Sequence, residues 1–429
     1  MNKTFNLVYD IWDNDNVVPN LKIKYPNIHT SDPYYLILHY INDVTYSNKF
    51  TNKRCKLEDI FNSDENFYYV VNYGGNQLTE FFIDDSDINN IITKDPFDDR
   101  MKELLRSQKN LFLIFLSEHE PDCELSFKYV HDYLLKNMIN GNKVYYINNN
   151  AKLQDYKVLY NSDINVHSLQ FIAHSSTKVL HRVGGNEFID NKKGKFFMCF
   201  NKSPKLHRYG LLCYLKKYGL LDDINWSLVP TWDTKPKGDF YKKIFNEQEM
   251  NYFSEEIEYF YNINIKRSDY EEDKGWFNPY EDINTSEFPV WLHVPEYMKN
   301  YESSYVNIVT ESMFLDKLNN IHISEKSFKP FYYYQFPLIL STSGHIRKMK
   351  DRYGFDFYDD IIDHSYDDES NQTLRLKMFV EEIKRLNNNK SELINYYKNN
   401  KKRFELNKEK VTQVLNVVNV DYKYFEGLI

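Results

Sequence analysis

Glycine and proline are scarce in this chain, 13 of each in 429 residues, well below the roughly 7% and 5% of ordinary usage. Collagen-like repeats and low-complexity linkers are thereby excluded. Positive charge is not in excess either: 54 Lys and Arg face 62 Asp and Glu, a net charge of −8. A broad basic face for nucleic acid is not expected, because phosphate binding needs clustered cations, although a local basic cleft is compatible with this balance. The four cysteines, Cys55, Cys123, Cys199 and Cys213, form no CxxC pair and show no metal-ligand spacing with histidine. They read as buried thiols of a reducing compartment. No apolar run nears the ~20 residues of a membrane span, the longest lying at Leu111–Leu116. Asp10 interrupts the opening MNKTFNLVYDIW, so no signal-peptide core is expected. Neither GxGxxG nor GxxxxGK[ST] occurs, which disfavours a Rossmann dehydrogenase or a P-loop NTPase. The expectation is a soluble cytoplasmic protein (host cytoplasm, if viral) of two domains, given its length.

Aromatic residues, by contrast, reach 17%, with 37 Tyr and 30 Phe. Alongside abundant Asn, Lys and Ile, that set follows AT-rich codons and says more about the genome than about function. Tyrosine stacking on sugars or bases is the chemical alternative.

Short runs rich in β-branched and aromatic residues predict strands at Phe5–Tyr9, Tyr34–Leu38, Phe67–Val71, Leu111–Leu116 and Val144–Ile147. Between the last two, Phe127, Val130, Leu134 and Met138 give Leu125–Met138 a helical period, completing a βαβ unit. A second set begins after Asn191–Gly194. Strand Phe196–Phe200 leads into a helix capped by Ser203, with Pro204 first and Gly219 closing it. Strand Tyr305–Val309, helix Ser324–Tyr334, strand Phe336–Leu340 and helix His345–Tyr353, stopped by Gly354, continue the alternation. From about Thr373 the chain is helical, with Leu376, Phe379, Val380 and Ile383 on one face. The expected organisation is an N-terminal α/β domain over 1–190, a second over 191–370 and C-terminal helices over 371–429.

Three stretches carry candidate chemistry. In Asn201-Lys-Ser-Pro-Lys-Leu-His-Arg208, Lys202, Lys205, His207 and Arg208 crowd a helix start, where cations oppose the dipole and a phosphate would relieve the conflict. A solvated basic helix start is the plainer alternative. In Ser324-Glu-Lys-Ser-Phe-Lys329, Glu325 suits the first turn beneath a Ser324 cap, which by itself explains it. Lys326 and Lys329 have no such stability reason, and Pro330 should shift or kink the helix. The small-residue loop Ser341-Thr-Ser-Gly344, with Ser343 and Gly344, follows a buried strand at the end where α/β folds bind ligands.

Tyr305-Val-Asn-Ile-Val-Thr-Glu311-Ser312, then His322-Ile-Ser-Glu325-Lys326, then Phe336-Pro337-Leu-Ile-Leu resemble in order the donor-binding motif of alpha-1,3-fucosyltransferases. The element beginning at Phe200 and ending at Arg208 resembles one in glycosyltransferase-like proteins of phages. The resemblance covers roughly residues 195–368. It implies a GT-B fold, two Rossmann-like domains facing a cleft, with the nucleotide sugar held by the second. Carried over, Glu311 contacts the donor sugar or its phosphate, Glu325 accepts from ribose, and Lys326 or Lys329 neutralises the diphosphate. Arg208 with Lys202 forms a second phosphate clamp. Thr-Glu-Ser here replaces Phe-Glu-Asn, so GDP-fucose is one donor candidate among GDP- and UDP-sugars.

An inverting transferase also needs a base to deprotonate the acceptor and no obligatory metal. Glu118, after the strand Leu111–Leu116, is the best-placed candidate, with His119 and Glu120 beside it and His174 weaker. Asp13-Asn-Asp15 and Asp85-Ser-Asp87 would serve a metal-dependent GT-A enzyme, the lesser reading, since such triplets occur by chance in an Asp-rich chain. Asp363-His364-Ser365-Tyr366 is a further candidate lining of the donor site. The expected activity is sugar transfer to a glycan, a protein or a modified DNA base. A non-catalytic nucleotide- or sugar-binding protein and a viral DNA-base glycosyltransferase are the alternatives.

Overall fold

The computed structural model describes residues 3–8, 50–55, 57–72, 97–116, 123–169, 187–192, 194–201, 205–228, 241–242, 244–262, 301–315 and 319–428. The strand expected at Tyr34–Leu38 lies outside them. The chain divides into two compact units: Met1–His174 with Leu318–His322 and Asn416–Ile429, and Ser175–Lys317 with Ile323–Leu415. The C-terminal helices are thus shared between the units.

The first unit is a parallel sheet of β1 (Lys3–Val8), β2 (Phe50–Cys55), β3 (Phe67–Asn72), β4 (Leu111–Leu116), β5 (Val144–Asn148) and β6 (Asn165–Ser168). Their spatial order is β2-β1-β3-β4-β5-β6. Helices α1 (Asp99–Ser107), α2 (Glu124–Lys136) and α3 (Leu153–Leu159) follow in the connections. Strand alternation sorts the core onto two faces. Phe67, Tyr69 and Val71 of β3 and Leu111, Leu113 and Phe115 of β4 pack with Leu105, Phe127 and Val130 from the helices. Tyr68, Val70, Ile114 and Leu116 point the other way, against Phe425 and Leu428. Because both faces are covered, β4 is apolar throughout, as a central parallel strand must be. Each buried Phe or Leu contributes about 1.5–3 kcal/mol through removal from water. Asp98 starts α1 by accepting from the Met101 N–H at 2.7 Å.

The second unit holds β7 (Phe197–Asn201), β8 (Ile224–Leu228), β9 (Val306–Thr310) and β10 (Phe336–Leu340), in the order β10-β9-β7-β8. All neighbouring pairs are parallel. Among the described residues its helices are α4 (Leu206–Lys217), α5 (Glu247–Tyr252), α6 (Ser254–Asn262), α7 (Lys329–Tyr332), α8 (His345–Tyr353), α9 (Gln372–Asn388) and α10 (Lys390–Asn399). The last helix, α11 (Lys401–Leu428), runs on into residues of the first unit.

Two helix starts differ from expectation. Lys205 is extended (φ −107°, ψ 150°), so α4 begins at Leu206 rather than Pro204; Ser203 and Pro204 lie outside the described residues. Its far end ends as expected, with Gly219 left-handed at φ 67°. The single helix expected over Ser324–Tyr334 is broken into a 3-10 turn, Glu325–Ser327, and the short α7. Pro330 is the reason: it suits a first helical turn but its ring and missing N–H forbid a continuous helix through it. No helix among the described residues is long and apolar enough to cross a membrane.

Candidate functional site

In the second unit β8 lies on one side of β7 and β9 on the other, so strand order reverses between β7 and β9. Open parallel sheets hold ligands outside the carboxyl ends of strands at such a reversal. Here those ends are Asn201 and Thr310, both buried. Thr310 Oγ1 donates to Asn201 Oδ1, joining the two strands by side chains. Arg208, from the first turn of α4, donates through Nε to Thr310 Oγ1 at 3.1 Å and through Nη2 to the Thr310 carbonyl at 3.0 Å. Its neighbour His207 donates from Nε2 to the Glu311 carbonyl at 2.8 Å, since a carbonyl can only accept. Burial, with the adjacent Arg208 charge, pushes the His207 pKa well below its usual value. The imidazole is therefore neutral and stacks on Phe314.

Glu311 is fully buried, yet its carboxylate has many donors. Ser324 Oγ lies 2.9 and 2.7 Å from its two oxygens, Ser327 Oγ donates to Oε1 at 2.6 Å, and the Ser324 and Ser312 N–H groups approach at 3.3 and 3.2 Å. Lys326 Nζ is 3.6 Å from Oε2. With Ser327 Oγ donating to Glu311, His345 Nε2 donates to Ser327 Oγ at 3.0 Å. A buried carboxylate is tolerable only with this degree of satisfaction, since its bare desolvation costs several kcal/mol.

The rim of the cluster carries cations. Lys205 Nζ donates to the Ser312 carbonyl at 3.0 Å, and Lys326 Nζ to Ser312 Oγ at 3.3 Å. Two ammonium groups from separate loops thus meet on one partly exposed serine.

The loop after β10 joins the same edge, Ser341 Oγ donating to the Met313 carbonyl at 3.3 Å. Gly344 adopts φ 78° just before α8, a conformation costing other residues roughly 1–2 kcal/mol. The N-terminus of α8 already holds an anion. Asp367 accepts from the Ile346 and Arg347 N–H groups at 3.0 and 3.1 Å, and its carbonyl accepts from Gly344 N–H at 2.7 Å. Burial pushes the Asp367 pKa up to about 6.

Of the candidate residues, Lys205, Arg208, Glu311 and Lys326 come together, with His207, and the loop of Ser343 and Gly344 borders them. Lys329 is buried with its ammonium 5.7 Å over the Tyr301 ring, which sets it among aromatics. Glu325 lies in the 3-10 turn that carries Lys326. Asp363, His364 and Ser365 line a surface cleft of about 460 Å³ with Lys350, Asp359 and Arg385. Glu118, His119, Glu120, His174, Lys202 and both Asp-x-Asp triplets lie outside the described residues. The four cysteines are buried and unpaired. Among the described residues no group of three or more His, Cys, Asp or Glu is placed to hold a metal.

Sequence reasoning passed over Thr310, Ser327 and His345, and it reads Asp367-Asp368 as a solvated Asp-rich turn, whereas Asp367 is buried and caps α8. Thr310 had one signal, its place as the last residue before Glu311. Ser327 and His345 are distant in sequence from groups they bond and gave none.

No protein-family model, curated protein or solved structure matches the chain.

Proposed function

We propose that the chain is a GT-B-type glycosyltransferase, moving a sugar from a GDP- or UDP-sugar to an acceptor hydroxyl with inversion and without an obligatory metal. The observation that carries this reading is the convergence of Lys205 and Lys326 on Ser312 beside the strand-order reversal. A diphosphate laid across that rim meets both ammonium groups, and charge-assisted hydrogen bonds to phosphate are the strong kind. Arg208 and Glu311 act from beneath. The first fixes Thr310 and the second anchors Ser324, Ser327 and Lys326, so they are positioning residues. Glu325 is assigned the ribose hydroxyls, and Ser343 and Gly344 the border of the pocket. Lys202 remains assigned to the phosphate side, and the buried Arg208 supports it only through Thr310.

Glu118 is the proposed base. It takes the proton of the acceptor hydroxyl, whose oxygen bonds to the anomeric carbon as the bond to the nucleoside diphosphate breaks. The leaving group departs with that electron pair and is stabilised by the lysines. A single displacement inverts the anomeric centre. The acceptor classes are a glycan, a protein or a modified DNA base.

A thermal-shift series with GDP, UDP, ADP, CMP and their sugars tests the reading. One nucleoside diphosphate should raise Tm, with about 2.7 kcal/mol of added stability at 100 times Kd. The Lys205→Ala, Lys326→Ala double variant should lose the shift. Glu118→Ala should keep it and lose transfer. No shift with any nucleotide overturns the proposal, and nucleotide binding without transfer by the wild-type chain points instead to a non-catalytic binding protein.

A further inference from the structure

Toward the far end of α4, away from Arg208, three helices enclose a second cavity of about 260 Å³. Tyr214 and Tyr218, four residues apart, come from α4 and its C-cap. Glu249 and Tyr252 come from α5, with Phe253 capping it. Lys377 and Glu381, again four apart, come from α9. Spacings of three and four residues put each set on one helix face, so the cavity is built from three converging faces.

Its walls are rings. Tyr214 meets Phe253 edge-on at 4.5 Å and Tyr218 at 6.0 Å, and Tyr252 meets Phe253 edge-on at 4.9 Å. Tyr252 stands at the mouth, 50% exposed. The charges of the lining are matched in pairs. Glu249 pairs with Lys377 while its second oxygen accepts the Asn246 N–H at 2.9 Å, and Glu381 pairs with Lys384 at 2.9 Å. Lys384 also lies 4.3 Å over the Tyr218 ring and Lys217 lies 4.8 Å over Tyr252.

That charge pattern selects the ligand. An organic cation would meet Lys377 and two rings already covered by ammonium groups. An anion would meet two carboxylates. A neutral molecule with an apolar face and a rim of hydroxyls meets neither penalty: its C–H face packs on the aromatic lining and its hydroxyls reach phenols and the exposed Glu381 carboxylate, both of whose oxygens Lys384 Nζ also approaches at 2.9 Å. The volume is below the roughly 300–1,000 Å³ of sites for drug-sized ligands, which fits one ring. We propose that this aromatic cavity binds a single neutral sugar ring, as a saccharide site separate from the Glu311 cluster. It depends on no assignment made at that cluster.

Saturation-transfer NMR on the full chain tests it, with glucose, galactose, L-fucose and N-acetylglucosamine as probes and tetramethylammonium and inorganic phosphate as charged counterparts. At least one sugar should receive saturation, and Tyr252→Ala should weaken its Kd at least tenfold. Glu381→Gln, a change on an exposed side chain that leaves folding intact, should weaken it several-fold. Lys326→Ala should leave it unchanged, which separates this cavity from the nucleotide reading. The proposal falls if no sugar receives saturation, if tetramethylammonium or phosphate binds in preference, or if the sugar signal survives both cavity variants.

Discussion

Both units end parallel strands in buried polar networks, but the two networks are made of different chemistry. At the carboxyl end of β5, Asn148, Asn149 and Asn150 are buried. Asn150 Oδ1 accepts from the Lys152 and Ile321 N–H groups at 2.9 and 3.2 Å, and Nδ2 donates to Tyr156 Oη at 2.9 Å. Tyr156 in turn donates to the Asn319 carbonyl. Charge is kept to the partly exposed Glu124 and Lys152. At the carboxyl ends of β7 and β9, by contrast, Glu311 and Arg208 are themselves buried. Amides satisfy a chain crossing at little desolvation cost. A buried ion set is the costlier device, and costly arrangements concentrate where ligands bind. Under the proposed function, the first network is joinery and the second is the site.

Removing each centre measures that difference. Glu311→Ala should have the largest effect: it strips several charge-assisted hydrogen bonds and strands two buried hydroxyls, for a loss of about 3 kcal/mol or more in urea unfolding. Glu311→Gln should lose less, because an acceptor remains. Acid should act on the second unit next. Burial holds the His364 pKa down at about 4, with both ring nitrogens bonded. The unfolded chain therefore takes up this proton first, so its contribution is full above about pH 6.5 and is lost as pH falls from there toward 4. The size is roughly 3 kcal/mol. Asp367 has the opposite sign. Its folded pKa of about 6 lies above the unfolded value, so stability rises as pH falls through 6. Denaturation curves against pH for His364→Gln and Asp367→Asn should tilt in opposite directions from wild type. Asn150→Ala should have the smallest effect, about 2 kcal/mol in the same unfolding assay, with nucleotide shifts unchanged.

Strands were the legible part of the sequence. Leu111–Leu116 and Phe336–Leu340 have the same bounds in both, because a buried parallel strand must be apolar along its whole length and polar at its ends. Helix starts were less so: Lys205 acts through backbone angles that composition does not reveal, whereas the break at Pro330 was legible from the proline itself. At the site, residues close after strands were legible: Glu311 follows β9, and Arg208 lies in the first turn of α4, the helix after β7. Their partners were not. Ser327 lies 16 residues beyond Glu311, and Asp367 lies 21 and 20 residues beyond the N–H groups it caps. Only folding brings such pairs together.

The first unit gathers residues 318–322 and 416–429 to itself, and Phe425 and Leu428 close one face of its sheet. During synthesis the strands of that sheet emerge early, while Phe425 and Leu428 come far later in the chain. For most of translation, then, the face bearing Tyr68, Val70, Ile114 and Leu116 waits for Phe425 and Leu428. A nascent chain with bare apolar sheet is a natural client for chaperones and a seed for aggregation. A ribosome stalled short of residue 416 would leave a product whose first unit is still unfinished.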